Sequence, residues 1–214
     1  MKTVSDKPVR YVLNTHQHED HAGGNAKFLP VAEVIAHRNA RANLAELKEL
    51  ALPRITFTDE MSVFLGGKEV RTHHYGRGHT GGDAVIYFPA SKVIHTGDLF
   101  LTDPPQPFID YGQGGSALEW TKTLDKVLAI DFDTAIPGHG PVSKKEDVVK
   151  FRADLGAMQS RLSGLVKQGK TKDDLVNALE ADYGWRAKGC PPSPPTGGCL
   201  AIQQAGELFA ELKQ

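Results

Sequence analysis

The residues best suited to chemistry lie in one short segment, His16-Gln17-His18-Glu19-Asp20-His21. Three imidazoles and the Asp20 carboxylate so close together form a strong metal-binding motif. In an extended segment His16 and His18 leave the backbone on the same side, so they can share one ion. The turn that follows directs Asp20 and His21 toward a second ion.

Three further candidate ligands each follow a predicted strand and lie among glycines. They are His79 in GRGHTGGD, Asp98 in HTGDLF and His139 in PGHGP. Glycine lets the chain turn sharply and brings a side chain close to an ion without crowding. Each is weak evidence alone, but together with the histidine-rich segment they would complete the coordination of two ions.

Imidazole and carboxylate are suitable donors for zinc, and iron or manganese also accept them, so the ligand types do not fix the metal. Two such ions, typically ~3.5–4 Å apart, can share a water molecule and lower its pKa toward ~7. The resulting hydroxide, rather than a side chain, would then be the nucleophile. Asp20, close to this water, is the candidate catalytic residue, either as a proton acceptor or as an orienting group.

The elements that must position these residues are mainly strands. Residues 9–14 predict a short strand that ends directly before His16, and residues 38–51 predict an amphipathic helix. The inward face of this helix is expected to carry Ala40, Leu44, Leu47 and Ala51. A sheet is predicted from the segments RITF, MSVFL, KEVRTHHY, DAVIYF and KVIHT, which alternate or run apolar between turns.

The second half of the chain predicts helices. Ser116 with Glu119, and Ser143 with Glu146, both fit the capping-box pattern of a helix start. We expect helices over about 116–130, 144–168, 171–182 and 200–213. The Gly/Pro-rich stretch 184–199 is interpreted as a surface loop, because too little chain follows it to fold alone. The prediction is therefore a single domain over 1–214, with C-terminal helices from about 144.

Composition sets limits on partners. The 214 residues are 40% hydrophobic and 24% charged, with a formal net charge of -1, so a globular core is expected and nucleic acid is not. No run approaches the ~20 apolar residues of a membrane span, and no secretory signal is visible. We expect a small-molecule substrate, no membrane partner and a cytoplasmic location by default. Cys190 and Cys199 could form a disulfide or remain two thiols.

The ordered set HxHxDH, GHT, GD and PGHG resembles the metallo-β-lactamase superfamily over roughly residues 9–142. The resemblance implies an α/β fold, a four-layer αββα sandwich with two metal ions. It also implies the division of ligands, in which His16, His18 and His79 bind one ion, Asp20, His21 and His139 bind the other, and Asp98 bridges them.

Asp98 carries information about the subtype. An aspartate at this position resembles glyoxalase II and the broader hydrolases, whereas some β-lactamases of the superfamily have a cysteine or serine there. Leu101 occupies the place of a lysine that binds the substrate carboxylate in one β-lactamase class. The sequence therefore predicts a metal-dependent hydrolase, with zinc as first choice, acting on a small ester, thioester, lactone or amide. The alternatives are an iron-dependent oxidoreductase resembling persulfide dioxygenases, a β-lactamase, and an inactive, truncated metal-binding module.

One departure from the family pattern concerns the N-terminal strands. Only fifteen residues precede His16, whereas members of the family ordinarily have a pair of β-hairpins before this motif. The chain is therefore interpreted as a fragment or as a shortened variant whose first sheet lacks its early strands. An uncovered sheet edge would favour self-association. A lost N-terminus could also have carried an export signal.

Other conspicuous residues receive structural interpretations. His37 opens a helix and is expected at the surface, and Asp83 is expected to hold its loop by hydrogen bonds. His73 and His74 face opposite sides of a strand, so at most one can approach the site. An apolar segment either lines a substrate pocket or forms an ordinary packed loop, and its members are Phe100, Pro104, Pro105, Phe108 and Tyr111.

Overall fold

The computed structural model describes residues 5–48, 51–103, 106–185 and 204–214, which form two β-sheets with helices packed against them. The strands are β1 (Tyr11–Leu13), β2 (Glu33–His37), β3 (Ile55–Phe57), β4 (Glu60–Leu65), β5 (Lys68–His73), β6 (Val85–Phe88), β7 (Val93–Gly97), β8 (Thr134–Pro137) and β9 (Ser143–Lys144). The helices are α1 (Glu19–Ala22), α2 (Asn25–Phe28), α3 (Arg38–Glu46), α4 (Ala117–Leu128), α5 (Lys145–Lys167), α6 (Lys172–Tyr183) and α7 (Ala205–Glu211).

The two sheets differ in strand direction. The first sheet has the order β1-β2-β3 and is parallel throughout. The second has the order β4-β5-β6-β7-β8-β9 and is antiparallel except where β7 runs parallel to β8. Because β7 and β8 are parallel neighbours, their carboxyl ends lie together at one edge, with Gly97 opposite Pro137. The residues that follow these two strands must therefore be close in space.

The alternation of side chains along the strands explains how the layers pack. Ile35 and Phe57 of the first sheet form a small core with Ala84, against which Met61 and Val63 of β4 also pack. The opposite face of the second sheet contributes Val85, Tyr87, Ile94 and Ala135 to the larger core, which α4, α5, α6 and α7 complete. With α3 packed against β2 and β3, the molecule has the four layers expected of an αββα sandwich.

The predicted strands of the middle section all form, whereas two helix details are wrong. Helix α3 ends at Glu46, and Leu47 is 53% exposed rather than inward-facing. Ser116 begins α4 as predicted, since its hydroxyl accepts a hydrogen bond from the Glu119 backbone N–H at 3.1 Å. Helix α5 begins one residue later than predicted, because the Lys144 N–H donates to the Asp147 carboxylate at 2.9 Å.

The remaining C-terminal predictions are mostly confirmed. Helix α6 begins after Thr171, whose hydroxyl accepts from the Asp174 N–H at 3.2 Å. In α7 Leu208 is buried and packs into the main core. Cys190, Cys199 and most of the predicted loop 184–199 lie outside the described residues. Within the described ranges, none of the helices combines the length and apolar character that crossing a membrane would require.

Candidate metal centre

The predicted ligands are delivered by the ends of three strands and by one loop. The histidine-rich segment follows β1, Asp98 follows β7 and His139 follows β8, whereas His79 lies in the loop between β5 and β6. The early segment is held in place by Asn14 and Asn25, whose side-chain amides hydrogen-bond each other in both directions at 3.0 and 3.1 Å. The sequence pattern of a strand followed by a polar turn therefore places the first ligands at the sheet edge.

One cluster contains His16, His18, His79 and Asp98, whose donor atoms all lie within 4.8 Å of one another. His18 Nδ1 is 3.1 Å from His16 Nε2 and 2.9 Å from His79 Nε2. Asp98 Oδ2 is 3.5 Å from His79 Nε2 and 4.0 Å from His16 Nε2. Donors around one tetrahedral zinc ion at ~2.0–2.1 Å would be roughly 3.3 Å apart, so the spacing suits a single ion.

The hydrogen bonds on the far sides of two rings decide which ring nitrogens face the centre. His18 Nε2 lies 2.9 Å from Asp110 Oδ2 and must donate its proton there, which leaves Nδ1 of the neutral ring with a lone pair. His79 Nδ1 donates to the Phe108 carbonyl at 2.7 Å, so its Nε2 also carries a lone pair. Two lone pairs 2.9 Å apart repel each other unless a cation lies between them. The donor set therefore fits a metal ion.

A second cluster contains Asp20, His21 and His139, whose donor atoms likewise lie within 4.8 Å of one another. Asp20 Oδ2 is 3.2 Å from His21 Nε2 and 3.0 Å from His139 Nε2, and the two imidazole nitrogens are 3.3 Å apart. The Asp20 side chain is 55% exposed and that of His139 is 41% exposed. This cluster is thus the one that opens toward solvent.

Asp98 lies between the two clusters. Its Oδ1 is 3.1 Å from His21 Nε2, and its Oδ2 is 3.5 Å from both His79 Nε2 and His139 Nε2. Oδ1 is buried without a hydrogen bond of suitable geometry among the described residues. A buried carboxylate oxygen without a partner is costly unless a cation neutralises it. Asp98 is therefore placed where a ligand shared by two ions would have to be.

Two glycines allow the strand ends that carry the candidate ligands to lie close together. Gly97 has φ +51°, and a Cβ there would lie 2.6 Å from the Thr15 side chain, so β7 can end directly against the histidine-rich segment. At Gly138 a Cβ would collide with Asp98 Oδ1. The prediction that glycines near Asp98 and His139 prevent crowding is confirmed at these positions.

Burial and neighbouring charges set the ionisation of the cluster. Burial lowers the pKa of His79 to about 4, and burial followed by the neighbouring imidazoles holds that of His16 well below 6.5. Burial alone would raise the pKa of Asp98, but the close approach of the His21 ring and the charges of nearby imidazoles lower it. At neutral pH the buried cluster thus offers the neutral imidazoles of His16 and His79 and the ionised carboxylate of Asp98, the forms that bind metal.

Two features of the site were missed by the sequence analysis. Asp110, which orients His18, is 92 residues away in the chain, and its only local signal is a turn in which its carboxylate accepts from the Gln113 N–H at 3.1 Å. The Phe108 carbonyl, which orients His79, has no side-chain signal at all. The Phe108 ring itself stacks near His18, with ring centroids 6.0 Å apart.

Other predictions around the site have mixed outcomes. Asp83 holds its loop as expected, accepting from the Thr80 N–H at 2.9 Å and from the Thr80 hydroxyl at 2.5 Å. Phe100 is 1% exposed and belongs to the core, and it also borders a cavity lined by Leu155, Met158 and Trp185. Pro104 and Pro105 lie outside the described residues. His37 is 3% exposed, so the prediction of a surface position is wrong.

The buried position of His37 follows from its ring contacts. Its ring stacks on that of His74, with centroids 4.0 Å apart and planes inclined by 12°. The His74 ring hydrogen-bonds the Asp83 carbonyl through Nδ1 at 2.7 Å, while His73 lies beside Glu60. Neither His73 nor His74 belongs to the two donor clusters.

Comparison with known proteins agrees with this geometry. The family model described as "Metallo-beta-lactamase superfamily" matches residues 2–139. The chain is 33% identical over 132 residues to metallo-beta-lactamase type 2 of Bacteroides fragilis, covering 60% of this chain and 52% of that protein. It is 28% identical over 137 residues to the 2,4-dinitroanisole O-demethylase subunit alpha of a Nocardioides strain, covering 62% of this chain and 41% of that protein.

Solved structures show the same fold. The metallo-beta-lactamase of Pontibacter korlensis superposes with a TM-score of 0.60 at 21% identity, covering 70% of each chain. The chain spans about half the length of the curated relatives it matches. The superfamily consists largely of hydrolases that bind divalent metals, commonly zinc. With a family model matching well over half of its length, the chain belongs to the metallo-beta-lactamase superfamily.

Proposed function

We propose that the protein is a metal-dependent hydrolase with a binuclear zinc centre, acting on a small ester, thioester, lactone or amide. The observation that carries the proposal is the pair of donor clusters joined at Asp98, whose carboxylate faces His79 on one side and His21 on the other. His16, His18 and His79 would hold one ion, and Asp20, His21 and His139 the other. Asp98 would bridge them.

When bound, two such ions lower the pKa of a shared water molecule toward ~7 and so supply a nucleophile at neutral pH. The residues of the chain contribute orientation and proton handling. His18 and His79 are locked by Asp110 and by the Phe108 carbonyl, so that their lone pairs point at one position. This fixed arrangement needs little reorganisation during reaction, which favours electrostatic catalysis.

Asp20 is the residue we assign to proton transfer. One of its carboxylate oxygens faces the two imidazoles of its cluster, at 3.0 and 3.2 Å, and the side chain is 55% exposed. A carboxylate at the solvent-facing side of the centre can orient a water molecule and accept its proton as the nucleophile attacks. We expect the Asp20→Asn variant to retain some activity, and we expect that activity to lose its dependence on pH.

The test combines metal analysis with a substrate panel. Protein purified without added metal is analysed for zinc, iron and manganese, then assayed on an ester, a thioester, a lactone, a β-lactam and an amide. An alkyl sulfate and an aryl methyl ether complete the panel, because an alkylsulfatase and an O-demethylase are among the relatives. His79→Ala serves as the control that removes one ligand from the buried cluster.

We expect about two zinc ions per chain and at least one hydrolysed substrate, with turnover lost in His79→Ala. Stoichiometric iron together with oxygen consumption would contradict the proposal in favour of an oxidoreductase. Two bound metals without turnover of any member of the panel would favour a metal-binding module without hydrolase activity.

A further inference from the structure

Glu211, near the end of the described chain, makes a set of contacts that neither the family match nor the ligand pattern explains. It lies at the end of α7, far beyond the matched residues 2–139. Its carboxylate accepts hydrogen bonds from the Tyr111 hydroxyl at 2.6 Å, the Ser116 hydroxyl at 2.5 Å and the Ala117 backbone N–H at 3.0 Å. Three donors thus converge on one acidic side chain.

Two of these donors, Tyr111 and Ser116, belong to residues 108–116, and the third, Ala117, directly follows them. We name residues 108–116 the bracing segment. This segment supplies the acceptors that orient His79 and His18, namely the Phe108 carbonyl and the Asp110 carboxylate. The Asp110 N–H also donates to the His79 carbonyl at 2.8 Å. Any shift of the bracing segment therefore moves the partners of two ligands together.

Besides Glu211, two groups hold the middle of the bracing segment, since the Gly81 N–H and the Asn43 side-chain amide donate to the Gln113 carbonyl at 2.9 and 3.1 Å, and the Ser116 N–H donates to the Gly78 carbonyl at 2.9 Å. Within the bracing segment, the Gly115 N–H donates to the Asp110 carbonyl at 2.7 Å. A movement of Ser116 would therefore also move Asp110. Glu211 fixes this end of the segment, because it binds both the hydroxyl of Ser116 and the first backbone N–H of α4. A carboxylate is suited to this role, since it only accepts hydrogen bonds and favours a helix N-terminus.

The anchor is itself firmly placed. Helix α7 docks through Ala205 and Leu208, which are 3% and 1% exposed. It contacts both α6 and α4, so Glu211 is carried by a packed helix rather than by a free chain end. Glu207 lies on the same helix but is exposed, which makes it a matched control for the loss of one negative charge.

We propose that Glu211 is a positioning residue for the metal centre, acting through the bracing segment to hold Asp110 against His18 so that His18 Nδ1 faces the ion. The inference rests on the proposed metal centre and adds a dependence on the C-terminal helix. It assigns α7 a part in metal binding although α7 contributes no ligand. Tyr111 carries one of the two side-chain links, and its removal should reproduce part of the effect.

The experiment compares the full chain with its Glu211→Gln, Tyr111→Phe, Asp110→Asn and Glu207→Gln variants. Zinc affinity is measured by competition with a chelator, and the tautomer of His18 is read in metal-free protein by NMR of nitrogen-labelled histidine. Asp110→Asn should weaken zinc binding by about 10–100-fold, as other partners of metal-binding histidines do. Glu211→Gln should weaken it by about fivefold or more, and Glu207→Gln should leave it unchanged.

A double variant separates positioning from simple helix capping. If Glu211 acts through Asp110, then Glu211→Gln in the Asp110→Asn background should cause little further loss of affinity. Full additivity of the two losses, or an affinity of Glu211→Gln equal to that of Glu207→Gln, would overturn the proposal. Should Glu211→Gln fold poorly, Tyr111→Phe gives the same comparison.

The tautomer of His18 in metal-free protein tests the role of Glu211 separately from the proposed metal centre. In metal-free wild-type protein, His18 should carry its proton on Nε2, and this preference should weaken in Glu211→Gln. An unchanged tautomer in that variant would count against Glu211 as a positioning residue. Failure of the wild-type protein to bind zinc would instead contradict the proposed metal centre, whatever the tautomer shows.

Discussion

The protein has two groups of histidines that reach into its interior, and only one of them has the geometry of a metal site. In the first, His18 and His79 donate through their outer nitrogens to Asp110 and to a backbone carbonyl, so the inner nitrogens face each other at 2.9 Å. In the second, His37 and His74 are stacked face to face, with ring centroids 4.0 Å apart. Each group contains a buried ring, His79 in the first and His37 in the second, but the ring nitrogens of the two groups have different partners.

In the stacked pair the backbone satisfies the ring nitrogens that have identified partners. His37 Nδ1 accepts from the Asn39 N–H at 3.3 Å, which starts α3, and His74 Nδ1 lies 2.7 Å from the Asp83 carbonyl. Among the described residues, no group of three metal-binding side chains includes His37 or His74, so these histidines stabilise the packing of a helix against a loop. Burial and the number of imidazoles therefore do not define a metal site, whereas converging lone pairs do.

The largest expected effect comes from removing the ligand shared by the two clusters. Asp98→Ala should lower kcat/KM by about a thousandfold or more, because loss of metal-based charge stabilisation is worth several kcal/mol. His37→Ala should leave the activity of the folded fraction nearly unchanged, although it opens a cavity beneath His74. Steady-state kinetics on metal-loaded protein, corrected for the folded fraction, provide the comparison. Equal losses in the two variants would refute the distinction between the two groups.

A smaller effect is expected from crowding Asp98 without removing any ligand. Gly138→Ala forces a Cβ into the space of Asp98 Oδ1 and should weaken zinc affinity by about 10–100-fold, the range seen when the surroundings of ligands are disturbed. Gly164→Ala in α5 is the matched control, since a Cβ there meets nothing within 4 Å. The control should keep zinc affinity and gain about 0.5–1 kcal/mol of stability from lower backbone freedom. Zinc competition and urea denaturation measure both quantities.

The stacked pair should also make the stability of the protein depend on pH. Burial, followed by the neighbouring His74, lowers the pKa of His37 from 6.5 to about 4. The unfolded chain therefore binds a proton that the folded protein rejects, and stability is lost as pH falls through 6.5 toward 4. Between pH 7.5 and 5 this single residue should account for about 2 kcal/mol of lost unfolding free energy.

His37→Phe should abolish that component while leaving the contribution of the metal-centre histidines in place. The measurement is urea denaturation of metal-free protein at the two pH values, with wild type and variant compared. An identical pH dependence in both proteins would show that His37 ionises normally in the folded state, and the description of His37 as buried and neutral would be wrong.

The sequence predicted the local part of the site and missed the part that depends on docking. His16, His18, Asp20 and His21 lie within six positions, so a strand and a turn are enough to bring them together. Asp98 could be placed because glycine beside it signals a close approach of strands. Sequence patterns of this kind span only a few residues. They can be recognised because they reflect the local geometry of the backbone.

The residues that support the site have no comparable signal. Asp110 meets His18 across 92 positions, and Glu211 meets Tyr111 across 100, so each contact exists only after distant parts of the chain have packed together. The error at His37 has a related cause, because the first residue of a helix is usually exposed, and here β2 delivers it into the interior. Tertiary packing decides these positions, and local patterns do not report it.

The smallest expected effect concerns a charged pair next to the buried centre. Arg77, two residues before His79, pairs with Glu119 at 3.2 Å, but both side chains are nearly half exposed, at 47% and 45%. Solvent screens such a pair, so Arg77→Ala should cost no more than about 0.5 kcal/mol of unfolding free energy. Zinc affinity should stay within about twofold of wild type, because the Thr123 hydroxyl still donates to the residue 77 carbonyl at 2.8 Å and fixes the loop. A loss of affinity as large as that of Gly138→Ala would mean that surface charge, rather than the buried hydrogen bonds, positions His79.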